Sequence, residues 1–180
     1  MDNAITSWLN APAGLHPWLD AFLAAVSTYA IPLVVAAIVL QWFRRENAPV
    51  RRHVLISGGL AFALGLAINQ LLLLFIHRMR PYDAGLTHLI IGKSADWSFP
   101  SDHATALAAI AATFVLLAQR AQAAFLVALT LLVCWSRVYL GIHYAGDVLG
   151  GIATGTLAAA LVTWAYKPTS RLNRALIKIF

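Results

Sequence analysis

Apolar residues run along this chain in long unbroken blocks rather than in the one-sided stripe of a soluble helix. The blocks cover residues 19–43, 54–76, 100–117, 123–135 and 146–166, and polar or basic turns separate them. A block of about 20 residues crosses a hydrocarbon core of about 30 Å. The pattern therefore predicts an all-α, multipass transmembrane bundle of about five spanning helices. Ahead of these blocks, residues 3–10 place Ile5, Trp8 and Leu9 among polar neighbours, the pattern of a short helix lying in the membrane interface. Residues 1–18 are read as an interfacial segment, with Trp8 and Trp18 at headgroup level. Residues 167–180 are read as a basic cytoplasmic tail ending in a second interfacial helix. No repeat or low-complexity tract divides the chain, so 1–180 is expected to be one domain. Its amino-terminal stretch lacks the positive n-region of a signal peptide.

Composition agrees with that reading. Of 180 residues, 61% are hydrophobic and 11% charged, against roughly a quarter charged in soluble domains. The net charge of +6 would suit nucleic acid, but no soluble basic face exists to carry it, and no nucleic-acid partner is expected. The single cysteine, Cys134, excludes an internal disulfide and a multi-cysteine metal site. Charge also sets orientation. Every lysine and arginine except Arg78, Arg80, Lys93 and Arg137 falls on one side of the membrane, and every acid except Glu46 falls on the other. By the positive-inside rule the basic side is cytoplasmic. The opposite side, with the amino terminus and the loop 77–99, is then expected to face outward.

Three stretches on that outer side carry chemistry. Ser98-Phe99-Pro100-Ser101-Asp102-His103 opens the third block. Pro100 is read into the first turn of a helix, where its missing N–H costs nothing. The amides of Ser101, Asp102 and His103 would then be free for an anion, with Ser101 adding a hydroxyl contact and His103 a general acid beside it. The loop 77–99 brings Arg78 and Arg80, and Ser136–Asp147 brings Arg137, His143 and Asp147. Two or three guanidinium groups clamp phosphate oxygens in a planar fork. His143 and Asp147 are four apart, and an aspartate on one imidazole nitrogen would leave the other free to attack. Taken alone they are as readily an interfacial histidine and a helix N-cap. Asp102 repels phosphate unless it pairs with an arginine or turns away. Tyr139 and Tyr144 read as interfacial aromatics, His77 and His88 as loop residues, and Asn69 and Gln70 as interhelical hydrogen-bond partners. The glycines at 146, 150, 151 and 155 permit close helix packing.

Together the stretches resemble the type 2 phosphatidic acid phosphatase superfamily, whose pattern runs Lys-x6-Arg-Pro, Pro-Ser-Gly-His and Ser-Arg-x5-His-x3-Asp. Arg80-Pro81, Pro100-Ser101-Asp102-His103 and Ser136-Arg137 with His143 and Asp147 match at the family's spacing, over roughly residues 54–160. Leu73 stands where the family has Lys, with Arg78 as the candidate replacement, and Asp102 stands where it has Gly. Both departures, with Ile68-Asn69-Gln70 and Gly85-Leu86-Thr87-His88, resemble the bacitracin-resistance type undecaprenyl-diphosphatases. The resemblance implies removal of the terminal phosphate of a polyprenyl diphosphate in carrier-lipid recycling. His143 would be the nucleophile, Asp147 its partner and His103 the acid. Arg80, Arg137, Ser101, Arg78 and Asp102 would line the phosphate site. No metal or other cofactor is expected, and the partners are the lipid diphosphate and membrane lipids. A phosphatase of another lipid phosphate or a lipid phosphotransferase would use the same residues. A flippase would carry its charges at mid-membrane, and here they cluster at block ends.

Overall fold

The computed structural model describes residues 1–177. These form α1 (Asp2–Asn10), α2 (Pro17–Trp42), α3 (Ala48–Leu73), α4 (Asp102–Leu116), α5 (Arg120–Tyr139), α6 (Ala145–Ala165) and α7 (Arg171–Leu176), with no strand among the described residues. Lys178 of the basic tail lies outside them. Four helices, α2, α3, α5 and α6, have the length and composition to cross a membrane, and α4 is a shorter apolar helix. At 1.5 Å per residue its 15 residues fall short of a bilayer core of about 30 Å. It is the central helix, packed against α2, α3, α5 and α6. The chain is an integral membrane protein.

Several boundaries differ from the hydropathy pattern because capping and tertiary bonds set them. α3 starts at Ala48, with Pro49 in its first turn, so Arg51, Arg52 and His53 lie on a helix rather than in a turn. Arg52 donates to the Ile177 carbonyl at 2.7 Å, and His53 Nδ1 lies 2.9 Å from Asn173 Oδ1. The basic end of the bundle is thereby tied to α7. At the opposite end α5 continues to Tyr139, which puts Arg137 in its last turn. α4 begins at Asp102 with Ser101 as N-cap, which leaves Pro100 outside the helix.

The middle of the bundle is built from small residues. In lipid there is no hydrophobic drive between helices, so backbones must come close enough for dispersion and hydrogen bonds. At Gly155 of α6 an added Cβ would meet the Thr105 carbonyl, the Ala109 amide at 2.8 Å and the Ala108 Cβ at 3.0 Å. At Gly65 of α3 it would stand 2.9 Å from the Thr105 methyl. This approach makes a polar knot across three helices. Asn69 Nδ2 donates to Thr105 Oγ1 at 2.9 Å, and Thr105 Oγ1 lies 3.1 Å from Thr154 Oγ1. Asn69 is the interhelical partner expected of it.

α1 lies across the end opposite the basic turn, with its polar side inward. Thr6 and Asn10 are buried while Trp8 is 74% exposed. Asn10 donates to the carbonyls of Tyr139 at 2.6 Å and His88 at 2.9 Å, and accepts from the His88 amide at 2.7 Å. The loop 77–99 is pinned beneath it by Thr87 to the Gly141 carbonyl and by the Ile90 amide to the Leu140 carbonyl.

The glycine contact gives a direct test. Gly155→Ala should lower the unfolding midpoint in detergent, by an overpacking cost of about 1–3 kcal/mol. Gly59→Ala, whose new Cβ meets nothing within 4 Å, should leave the midpoint unchanged or slightly higher. Equal midpoints for the two variants would show that the α4–α6 approach does not limit stability.

Candidate active site

The start of α4, the last turn of α5 with its link to α6, and the loop 77–99 enclose a polar cavity of about 110 Å³. Arg80, Asp96, Asp102, His103, Arg137 and His143 line it, and Leu73 and Trp97 form its apolar rim.

His143 is 3% exposed. Its Nδ1 lies 2.9 Å from the Ser98 carbonyl. A carbonyl only accepts, so Nδ1 carries the proton, and the Nε2 lone pair faces Arg80 Nη1 at 3.5 Å. The Asp147 carboxylate stands farther off, 3.5 Å from Nδ1. It instead accepts the Ser98 hydroxyl, the Tyr144 amide at 2.9 Å and Arg78 Nη1 at 2.7 Å. Burial, reinforced by the Arg137 and Arg80 charges and opposed by Asp147, pushes the His143 imidazole down to about 4.

The two cavity arginines differ. Arg80 donates to the Asp96 carbonyl and carboxylate at 2.9 Å, to the Ile142 carbonyl at 3.0 Å and to the Trp97 carbonyl at 3.3 Å. It is a rigid wall of the cavity. Burial works to raise the Asp96 carboxyl, but the Ser94 hydroxyl and the Arg80 charge hold it below the ordinary range. Arg137 is 7% exposed and donates Nη1 to Ser27 Oγ at 2.7 Å. Its Nε is buried without an acceptor, and no carboxylate is within ion-pair reach among the described residues. The Ser101 hydroxyl is likewise buried without a partner. Buried orphan donors are costly, and Arg137, which lines the cavity, would find an acceptor in an oxyanion there. The His103 ring makes no hydrogen bond among the described residues and faces the same cavity.

The PAP2 superfamily model matches residues 54–171, which contain every side chain of this cavity. The chain belongs to the PAP2 superfamily. It is 37% identical over 143 residues to the undecaprenyl-diphosphatase BcrC of Bacillus subtilis, covering 79% of this chain and 72% of that protein. It is 30% identical over 162 residues to phosphatidylglycerophosphatase B of the same organism, covering 82% and 75%. The crystal structure of the transmembrane PAP2 type phosphatidylglycerolphosphate phosphatase from Bacillus subtilis superposes with a TM-score of 0.69 at 26% identity, over 94% of this chain and 86% of that one.

Of the residues expected in a PAP2 site, His143, His103, Arg80, Arg137 and Asp102 line one cavity, with Ser101 buried at the helix start beneath it. Arg78 does not join them. It is paired with Asp147 at 2.7 Å and Asp2 at 2.6 Å, and its guanidinium lies 3.7 Å from the Tyr144 ring centroid. Both of its terminal nitrogens are thus taken by acids, away from the cavity that Leu73 lines. Asp102 neither pairs with an arginine nor turns away; it stays at the cavity and accepts from Asn69 Nδ2 at 2.6 Å. The Ser101 amide is not free, because it donates to the Asp147 carbonyl at 3.1 Å. Tyr139 and Tyr144 are buried rather than interfacial. Nothing in the sequence alone assigns a site role to Ser98 or Asp96, yet the Ser98 carbonyl holds His143 and Asp96 holds Arg80. Ser98 is fully buried within the stretch that opens α4, and its place in that motif was the available signal.

Ring ¹⁵N spectra should find His143 as one neutral Nδ1–H tautomer at about pH 7 and protonating toward about 4. The folded value lies below that of the unfolded chain, which takes up the proton first. Its contribution to stability is complete above about 6.5 and is lost as pH falls toward about 4. A midpoint near the ordinary histidine value would contradict the burial seen here.

Proposed function

We propose that this PAP2 protein hydrolyses the terminal phosphate of a polyprenyl diphosphate, undecaprenyl diphosphate in carrier-lipid recycling for cell-wall synthesis. The observation that carries the reading is the His143 Nε2 lone pair facing a cavity walled by Arg80 and Arg137. The similarity to a diphosphatase over most of the chain favours the prenyl substrate. Leu73 and Trp97 at the rim fit a headgroup delivered from an apolar tail. The similarity to a phosphatidylglycerophosphatase keeps that glycerolipid as the second reading.

Arg80 and Arg137 hold the terminal phosphoryl group and stabilise the charge that develops on its oxygens. His143 Nε2 attacks phosphorus in line, and the bond from phosphorus to the bridging oxygen breaks. His103 gives its proton to that oxygen, releasing the prenyl monophosphate and leaving a phosphohistidine. Water, deprotonated by His103, then cleaves the P–N bond. Inorganic phosphate leaves and both histidines return to their starting state. The guanidinium groups take the place of a metal ion, and no group of three or more potential metal-binding side chains occurs among the described residues. The basic turn and tail at one end support an outward-facing site in the bacterial cytoplasmic membrane.

Phosphate release by the purified protein in detergent with EDTA should be greatest from undecaprenyl diphosphate when set beside a polyprenyl monophosphate, phosphatidate and phosphatidylglycerophosphate. His143→Ala should lower it by a factor on the order of 10³ or more while remaining folded. A glycerolipid preference would overturn the substrate, sensitivity to EDTA would overturn metal independence, and near-normal His143→Ala turnover would overturn the mechanism.

A further inference from the structure

We infer that Asp2 is a positioning residue for the catalytic turn, acting through Arg78 and Asp147 on His143; this rests on the reading of His143 as nucleophile. Asp2 lies on α1, outside the region matched by the family model, and lines no part of the catalytic cavity. Its carboxylate nevertheless makes two bonds at the start of α6. Oδ2 pairs with Arg78 Nη2 at 2.6 Å, and Oδ1 accepts from the Gly146 amide at 2.8 Å. One turn along α1, Thr6 Oγ1 accepts from the Ala145 amide at 3.0 Å.

The first amides of a helix have no partner within it. Here two of them, on the residues between Tyr144 and Asp147, are capped by side chains of another helix. The third, on Asp147, bonds the Tyr144 carbonyl at 3.1 Å. The turn that carries His143 is therefore fixed from outside by α1. The seat is specific, because a Cβ at Gly146 would stand 2.8 Å from Asp2 Oδ2. Arg78 bridges the two acids, so its guanidinium is held where it can meet Asp147 Oδ1. The Asp2–Arg78 pair is about one-third exposed on each side, and such a pair adds little to global stability. Its consequence is orientation: with Asp2 neutralised, Arg78 loses one anchor and the Asp147 carboxylate is less firmly aimed at Ser98 and His143.

The test compares Asp2→Asn, Asp2→Glu and wild type in the full-length protein in detergent, with Asp83→Asn as control. Asp83 pairs with Lys93 on the loop surface, 3.1 Å away, and its loss should change nothing. Asp2→Asn should lower kcat on undecaprenyl diphosphate by about tenfold to about a hundredfold, the scale of a misplaced catalytic group. KM and the unfolding midpoint should hold, and Asp2→Glu should restore most of the rate. The ring ¹⁵N resonances of His143 should move in Asp2→Asn and return in Asp2→Glu. An unchanged kcat would overturn the inference, and so would a loss that follows the unfolding midpoint and is not restored by glutamate. If wild type releases phosphate from no lipid tested, the functional reading fails instead. The His143 spectra then decide the inference alone, with unchanged resonances overturning it.

Discussion

A buried carboxylate organises this end of the molecule. Asp147 is fully buried, and an ionised acid survives there only if its lone pairs are taken. Arg78, the Ser98 hydroxyl and the Tyr144 amide take them, and each comes from a different stretch of chain. Arg78 and Ser98 stand at the two ends of the long loop, which is closed between them by the Ser98 amide on the Arg78 carbonyl. Tyr144 begins α6. The Asp147 backbone carbonyl takes the Ser101 amide and so fixes the start of α4. Satisfying this one carboxylate brings the loop, α4 and α6 together, and His143 sits among them.

The bundle beneath has to hold that arrangement without help from the hydrophobic effect. Glycines at 151 and 155 let α6 approach α4 backbone to backbone, Gly65 leaves room on α3 for the Thr105 methyl of α4, and the Asn69–Thr105–Thr154 knot fixes their heights. Asn69 also donates to Asp102, so the same amide that registers the helices sets a carboxylate at the cavity. Packing and site are not separable here, since a shift of α3 along α4 would move Asp102 with it.

The helices were legible because unbroken apolar runs have one explanation in a chain this poor in charge. The cavity was legible because motifs far apart in sequence fell on the same side of the membrane. What the sequence concealed were partner choices across the chain. Arg78 lies two residues from Arg80 and has the same chemistry, but its acids come from positions 2 and 147. The four-residue spacing of His143 and Asp147 predicts a direct bond, yet residues 140–144 are not helical, and the Ser98 carbonyl lies nearer to Nδ1. Pro100 suits a helix start, but the Ser101 amide is already committed to Asp147, so the helix begins one residue after its N-cap at Asp102. α1 has an amphipathic pattern, but it turns Thr6 and Asn10 inward because backbone amides and carbonyls at the ends of α5 and α6 need partners more than the apolar core needs Ile5.

The charge balance of the cavity bears on how it selects. Arg80 and Arg137 face Asp96 and Asp102, so these four formal charges cancel, and the net charge left is the proton that His103 carries as general acid in the proposed reaction. A cavity of this kind does not draw in anions by a strong positive field. Selection then falls to donor geometry: the buried Nε of Arg137 has no acceptor in the protein, and an acceptor inside the cavity would give it one. Asp96, more than half exposed on the loop, already gives Arg80 a carboxylate oxygen, so a phosphate oxygen entering beside it must compete for the same guanidinium. In the proposed reaction a phosphoryl group would meet that competition with several oxygens, enough to engage Arg80 and Arg137 together, which a single carboxylate on one loop does not.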